Sequence, residues 1–347
     1  MFGGRSGEHE VSLMSANSIL QAIDRQKFAV TRIGITKQGE WLTGDEAAAL
    51  LAGKRFTRKP KSLLPTAAAL AVDVIFPVLH GTFGEDGTIQ GLLDIAGVPY
   101  VGSGVLGSAV GMDKDVMKRL FLAGDLPSKF SYCGYSSNLE HPRTLVRNIE
   151  EGGRYPLFVK PANLGSSVGI SKVHNRAELL PAIRLAAKHD LKFIVEESAS
   201  RQGVKTREFE VGVLANHPGY RDVSVVGEII PGKEFYDYED KYLADGAVAV
   251  IPAKIPAKLE KAIRDYAIMA FAYCGLSGLA RVDFLFDPES QSLYLNEVNT
   301  MPGFTKISMY PKLWQAAGMS YPSLITRLIE LAMERAQERA TLSFSRE

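Results

Sequence analysis

The sequence predicts an α/β protein of two or three domains, with an open α/β sheet first and α+β units after it. Three observations predict this. The chain has 347 residues, more than one hydrophobic core usually serves. Its first hundred residues alternate short apolar runs with helical periodicities, as an open α/β sheet requires. Beyond them, short strand-like runs and helical stretches come in groups of small-domain size.

In chain order, Ala16, Ile19, Leu20 and Ile23 fall at helical spacing and give one face of a helix that packs on the sheet. Phe28 to Ile35 and Val72 to Leu79 read as strands. The second ends in His80-Gly81 and the glycine- and acid-rich loop Thr82 to Gly87. Thr88 to Ala96 reads as a helix and Val98 to Val101 as a short strand. The small-residue stretch Gly102 to Gly111 suggests a boundary, with domains expected at 1–102, 103–196 and 197–347. Next come a helix over Asp113 to Ala123, strands over Leu157 to Lys160 and Ile170 to Val173, a helix over Glu178 to Ala187, and the strand Phe193 to Glu196. The chain is then strand-rich to about Ile251 and helical from Ala257 to Tyr273. Strands Ala280 to Phe286 and Leu293 to Glu297 flank a turn, and Tyr321 to Ala340 is an amphipathic helix with Leu324, Leu328 and Leu331 on one face.

The composition, 46% hydrophobic and 23% charged, is that of a globular protein. A net charge of +1 gives no electrostatic reason for nucleic acid or an anionic membrane as partner, though a local basic pocket for small anions is compatible with it. Cys133 and Cys274, the only cysteines, form no CxxC arrangement, which excludes a disulfide framework and a Cys-based zinc site and suits a reducing cytoplasm. No apolar run has signal-peptide or bilayer-spanning length, so a soluble cytoplasmic protein is expected. A glycine turn at Gly3-Gly4 should follow a buried strand, yet only Met1-Phe2 precedes it. Either the fold lacks its first strand or the native start lies upstream, and the second is the expectation.

The strongest chemical signal is Arg281-Val282-Asp283 on one strand and Asn296-Glu297-Val298-Asn299 on the next. Side chains alternate along a strand, so Arg281 and Asp283 share a face, as do Glu297 and Asn299. Pairing the strands gathers three oxygen ligands and a guanidinium. Hard oxygens with two full negative charges suit Mg²⁺ held jointly with nucleotide phosphates. The alternative is an ion pair of Arg281 with Asp283 or Glu297. Lys160, followed by Gly165-Ser166-Ser167-Val168-Gly169, offers a cation and backbone N–H groups to a polyphosphate, although it is not a Walker A loop and a plain hairpin turn is the alternative. Glu196 ends an apolar strand, where it either reads adenine and ribose groups or is a solvated strand end. Phe235 to Tyr242 is too polar for a core strand and too aromatic for a passive linker, which suggests a lid; a self-packed surface loop is the alternative.

These runs, in this order, resemble the D-alanine–D-alanine ligase family of ATP-grasp enzymes along nearly the whole chain. The matching segments are Gly3 to Ser12, His80-Gly81 with Gly84 to Gly87, Met112-Asp113-Lys114, the Lys160 segment, Tyr236 to Tyr242, and Asn296 to Thr305 continuing to Ser308. The resemblance implies an ATP-grasp fold in which two α+β lobes clamp ATP behind the N-terminal domain. It implies ATP-dependent joining of two D-alanines through a D-alanyl phosphate, for cell-wall precursor synthesis. Lys114, Lys160 and Lys241 would meet the ATP phosphates, and Glu196 and Glu208 the adenosine. Asp283, Glu297 and Asn299 would hold two Mg²⁺, with Mn²⁺ as substitute. Arg281 and the Gly303 N–H would form an oxyanion site. Glu10 would bind the first D-alanine's ammonium with His80 near its carboxylate, and Ser308 would receive the second carboxylate. Ser166 and Tyr242 would join Glu10 in a triad, and the intact tyrosine run favours a dipeptide over a depsipeptide. Glu197 departs from the lysine found there in many members. A homodimer is implied. His9 carries no such argument and reads as a surface residue.

Overall fold

The computed structural model describes residues 1–201, 203–217, 220–230 and 248–343. The expected lid, with Lys241 and Tyr242, lies outside the described residues.

The N-terminal unit is built on a three-stranded sheet of β1 (Phe2–Gly3), β2 (Ile33–Ile35) and β3 (Trp41–Thr43), with β1 parallel to β2 and β2 antiparallel to β3. Thus β1 is present, two residues long. Helices α1 (His9–Ala22) and α2 (Gly44–Leu51) follow β1 and β3, and Ala16, Ala47 and Leu50 meet Phe2 and Leu42 in a small core. The strand expected over Val72 to Leu79 is reduced to bridges from Phe2 to Val78 and from Ile75 to Tyr100. Pro77 lacks an N–H and interrupts the ladder. The run from Phe28 likewise enters the sheet only at Ile33, with Ala29, Thr31 and Arg32 left exposed before it. Three further helices complete this part of the chain: α3 (Ala67–Leu70), α4 (Thr88–Ala96) and α5 (Val105–Met112).

After α6 (Lys114–Ala123), a four-stranded antiparallel sheet has the order β4 (Ser131–Tyr135), β7 (Lys192–Glu197), β5 (Leu157–Pro161), β6 (Ser171–Val173). Helices α7 (Pro142–Gly152) and α8 (Arg176–Ala186) bury Ile149, Leu179 and Ile183 against Val159, Phe193 and Val195.

The last sheet is antiparallel, in the order β10 (Val248–Val250), β9 (Tyr220–Ile230), β8 (Arg207–His217), β11 (Gly278–Asp287), β12 (Ser292–Asn299). Adjacent residues on its strands enter different cores, as alternation demands. Val213 and Ala280 face α9 (Ala257–Tyr273) together with Met117 and Phe121 of α6. Leu214 and Leu279 face α10 (Met309–Ala316) and α11 (Tyr321–Ala340).

That second core also takes in Ile19, Val78 and Val101 of the N-terminal unit, so the two parts of the chain share apolar packing. Phe304 stands edge-on to Phe76 at 5.6 Å and to Tyr310 at 5.8 Å, a favourable aromatic geometry. From α11, Arg335 donates to Tyr100 O at 2.8 Å and Ser277 Oγ at 2.6 Å, and also to Gly102 O. These bonds pin the junction. Among the described residues no helix is long and apolar enough to cross a membrane.

Candidate active site

The register of β11 against β12 sets Arg281 opposite Asn299 and Asp283 opposite Glu297. Across the other edge of β11, Asp283 faces Glu210 on β8. Arg281 donates from Nε to Asp283 Oδ1 at 2.7 Å and from Nη2 to Asp283 Oδ2 at 2.6 Å, and its Nε lies 3.1 Å from Glu210 Oε2. Burial disfavours the guanidinium charge, but Asp283 and Glu210 outweigh it and raise its pKa. The ion pair that the sequence offered as an alternative is therefore present. Asn299 Nδ2 also donates to Asp283 Oδ2 at 2.9 Å, which leaves the Asn299 carbonyl oxygen as a donor atom for a cation. Two carboxylates and an amide carbonyl on paired strands fit a hard divalent cation whose other ligands come from phosphate. Sequence reasoning passed over Glu210, although its period-two spacing with Glu208 marked a polar strand face.

The lysines converge from two elements, α6 and β5. Asp113 caps α6, accepting from Asp115 N and Val116 N, and so orients Lys114. Lys114 Nζ donates to Leu164 O at 2.8 Å and lies 4.0 Å from Glu297 Oε2. The Glu196 carboxylate is bridged by Lys118 Nζ at 2.7 Å and Lys160 Nζ at 2.6 Å. Burial alone would push that carboxyl up, but the two ammonium groups hold it down at about 2. Burial likewise opposes the Lys160 charge, yet Glu196, Glu297 and Glu208 leave its pKa above the ordinary value. Glu196 is thus a buried counter-charge, not a solvated strand end. Lys118, within the helix that the sequence predicts over Asp113 to Ala123, is a partner that sequence reasoning did not pick out.

One cleft of about 710 Å³ is lined by Glu8, His80, Lys114, Ser166, Arg281, Glu297, Asn299, Gly303 and Ser308, among others. Lys160, Glu196, Glu208 and Asp283 do not line it. Glu10 needs correction. Its side chain is 57% exposed and pairs with Lys37 Nζ at 2.5 Å, because α1 begins at His9 and turns residue 10 outward. Glu8, at the helix N-cap, occupies the cleft instead and accepts a hydrogen bond from Ser166 Oγ. Ser6 Oγ braces this turn by accepting Glu8 N–H at 3.1 Å and donating to His80 O at 2.5 Å. A Cβ on Gly165 would stand 2.6 Å from Glu8 Oε1, so any side chain there would push the Glu8 carboxylate out of its present position. Ser166 and Ser167 have φ of 53° and 59°, strain of the kind that gathers in ligand-binding loops. His9 is also corrected: it is buried, with Nδ1 2.8 Å from Gly4 O.

His80 lies at the floor, neutral because burial lowers its pKa. Its two ring nitrogens meet Met301 O and Ser15 Oγ, both at 3.0 Å. Glu85, missed in the sequence, accepts Gly81 N–H at 2.6 Å and Met301 N–H at 3.2 Å, and burial with the nearby Glu8 carboxylate pushes it up to about 8. Glu8, His80 and Glu85 offer atoms within 4.8 Å of one another, but a metal there would have to displace the bonds that His80 and Glu85 already make. Gly303 packs so closely that a Cβ would stand 2.7 Å from Ser308 Oγ, and that hydroxyl interacts with Thr305 N at 3.0 Å and Thr305 Oγ1 at 2.8 Å.

The Glu8 placement yields a paired test. If the cleft takes a cationic group on Glu8, Glu8→Gln should raise KM for an ammonium-bearing substrate by about tenfold or more, since charge-assisted hydrogen bonds are worth ~1.5–3 kcal/mol. Glu10→Gln should leave steady-state kinetics unchanged. The reverse order would return the role to Glu10.

The chain resembles known proteins along nearly its whole length. The family model described as D-ala D-ala ligase N-terminus matches residues 1–103, and the one described as D-ala D-ala ligase C-terminus matches residues 125–330. A D-alanine--D-alanine ligase of Natranaerobius thermophilus is 48% identical over 354 residues, covering 98% of this chain and 95% of the relative. The crystal structure of the VanG D-Ala:D-Ser ligase from Enterococcus faecalis superposes with a TM-score of 0.82 at 37% identity, covering 95% of this chain and 97% of the other. The D-alanine-D-alanine ligase from Coxiella burnetii gives a TM-score of 0.79 at 34% identity, covering 98% and 94%.

Proposed function

The chain belongs to the D-alanine–D-alanine ligase family and has its ATP-grasp fold, and from that premise we propose that it joins two D-alanines at the expense of ATP. The observation that carries this reading is the single cleft in which Glu8, Arg281 and Ser308 stand with a lysine and two oxygen donors. Those groups match an amino acid's ammonium, a carboxylate being activated, and a second carboxylate.

Glu8, braced by Ser166, receives the ammonium of the first D-alanine, which turns its carboxylate toward Arg281. A carboxylate oxygen attacks the γ-phosphorus, the bond to ADP breaks, and a D-alanyl phosphate forms. Lys114, with Lys160 and Lys118 around Glu196, neutralises the polyphosphate, while Glu208 meets the ribose. Magnesium, as two ions with manganese as substitute, would be held by Asp283, Glu297 and Asn299 and would supply charge neutralisation for in-line transfer. Ser308 then receives the second D-alanine's carboxylate and sets its amine against the acyl carbon. Arg281 and the Gly303 N–H stabilise the oxyanion that develops before phosphate leaves. Lys241 at the γ-phosphate and Tyr242 beside Ser166, outside the described residues, rest on the sequence resemblance. His80 contributes through the floor of the cleft, its ring nitrogens being taken up by the protein. The reading places the enzyme in the cytoplasm as a homodimer that supplies peptidoglycan precursors.

Product analysis with ATP, Mg²⁺ and D-alanine tests it, with D-serine or D-lactate added in parallel. D-alanyl-D-alanine should dominate; D-serine as the preferred acceptor, or no ADP release at all, would overturn it. A second test isolates the acceptor side. Gly303→Ala drives a methyl into Ser308 Oγ and should raise the acceptor's KM about tenfold or more, with ATP affinity unchanged, because a carboxylate deprived of its hydroxyl costs ~1–3 kcal/mol. An unchanged acceptor KM would remove Ser308 from that role.

A further inference from the structure

The turn after β12, Met301-Pro302-Gly303-Phe304, is held from outside by the N-terminal unit. Glu85 Oε1 accepts Met301 N–H at 3.2 Å, and His80 Nδ1 meets Met301 O at 3.0 Å. A carbonyl only accepts, so Nδ1 carries the ring proton and Nε2 is left as an acceptor. Ser15 Oγ, 3.0 Å from Nε2, therefore donates to it and in turn accepts Phe304 N–H at 3.2 Å. Every donor has an acceptor, and the directions are set from both ends. Ser15 and His80 are buried, and the partners are more than 200 residues apart in sequence. The two unclamped residues are Pro302, which has no N–H, and Gly303.

We propose that Ser15, His80 and Glu85 are positioning residues of this enzyme, a clamp by which the N-terminal unit aims the Gly303 N–H at the reacting carbonyl. The catalytic part of this inference rests on the function proposed above; the clamp itself does not. None of the three touches the reacting atoms. Their effect runs through the turn that joins the Asp283–Glu297–Asn299 set to Ser308. A donor about 1 Å out of place can cost ~10²-fold in rate even when binding survives, which gives the clamp kinetic weight. It also explains why a neutral, buried histidine stands beside a substrate cleft: its tautomer is spent on the turn.

Two variants test the clamp. Ser15→Ala deletes one atom, and Glu85→Gln keeps the shape but turns an amide N–H₂ toward a backbone donor. In protein free of nucleotide, both should speed amide hydrogen exchange at Met301 and Phe304 by about tenfold or more, as expected for a loosened local opening. Unchanged exchange overturns the clamp whatever the enzyme's substrates. In turnover both should lose about 10- to 100-fold in kcat, with KM for ATP within about twofold, and with affinity for a phosphinate mimic of the tetrahedral adduct falling in parallel. A purely structural role would instead lower ATP affinity, phosphinate affinity and melting temperature together, and that result overturns the positioning role. Because the residues act on one turn, the double variant should lose less than the product of the single losses; full multiplicativity would mean that they act separately. The wild-type assay separates the two readings. No dipeptide from wild type overturns the proposed function and the catalytic role with it, while the exchange result still decides the clamp.

Discussion

Glu297→Ala is expected to lower turnover by about 10³-fold or more at saturating substrates. Metal-assisted charge stabilisation is worth several kcal/mol, and each ~1.36 kcal/mol is tenfold in rate. Of the three oxygen donors, Glu297 gives the cleaner test. It lines the cleft, and Lys114 lies 4.0 Å away on the same side. Asp283 accepts both Arg281 bonds and one from Asn299, so its loss would disturb the sheet as well as the chemistry. ADP release measured against Mg²⁺ concentration reads the effect, with melting temperature as the control for folding. Turnover within a factor of a few of wild type would remove the metal assignment.

Arg281→Met should damage both stability and rate. The side chain holds Asp283 and Glu210 together in a buried setting, and removing it leaves two carboxylates without their counter-charge. Breaking such a pair from one side costs roughly 3–5 kcal/mol, readable as a lower urea midpoint. Losing an oxyanion donor costs about 10²–10³-fold in kcat. Arg281→Lys separates the two effects. A single ammonium restores the charge and much of the stability, but it cannot span Asp283 and the reaction centre with a planar fork. Stability near wild type with kcat still down by about 10²-fold is the expected result; a lysine variant within tenfold of wild-type kcat would confine Arg281 to a structural role.

The paired strands that carry Arg281, Asp283, Glu297 and Asn299 were legible in the sequence because strand alternation is local: side chains two apart share a face wherever the strand goes. The same logic exposed the helices over Thr88 to Ala96, Ala257 to Tyr273 and Tyr321 to Ala340. It misjudged Val72 to Leu79, where the hydrophobic pattern is that of a strand but Pro77 breaks the ladder.

Glu8 and Glu10 show the limit most plainly. Both lie in the same short motif, and nothing within it says which carboxylate turns inward. The answer depends on where α1 begins, on Ser6 bracing the turn, and on Gly165 approaching from 157 residues away. His9 and His80 repeat the lesson, since one is buried against Gly4 and the other is committed to Met301 and Ser15.

What the sequence determined alone was the chemistry available: hard oxygen donors, a guanidinium, lysines and a glycine- and serine-rich loop in a recognisable order. Which of these share the cleft was decided by tertiary structure. The shared core of Ile19, Val78 and Val101 with Phe304, the Phe76–Phe304 edge and the Arg335 hydrogen bonds bring the N-terminal unit against the turn after β12, and hydrogen bonds spanning more than 200 residues follow from that tertiary packing rather than from any local preference.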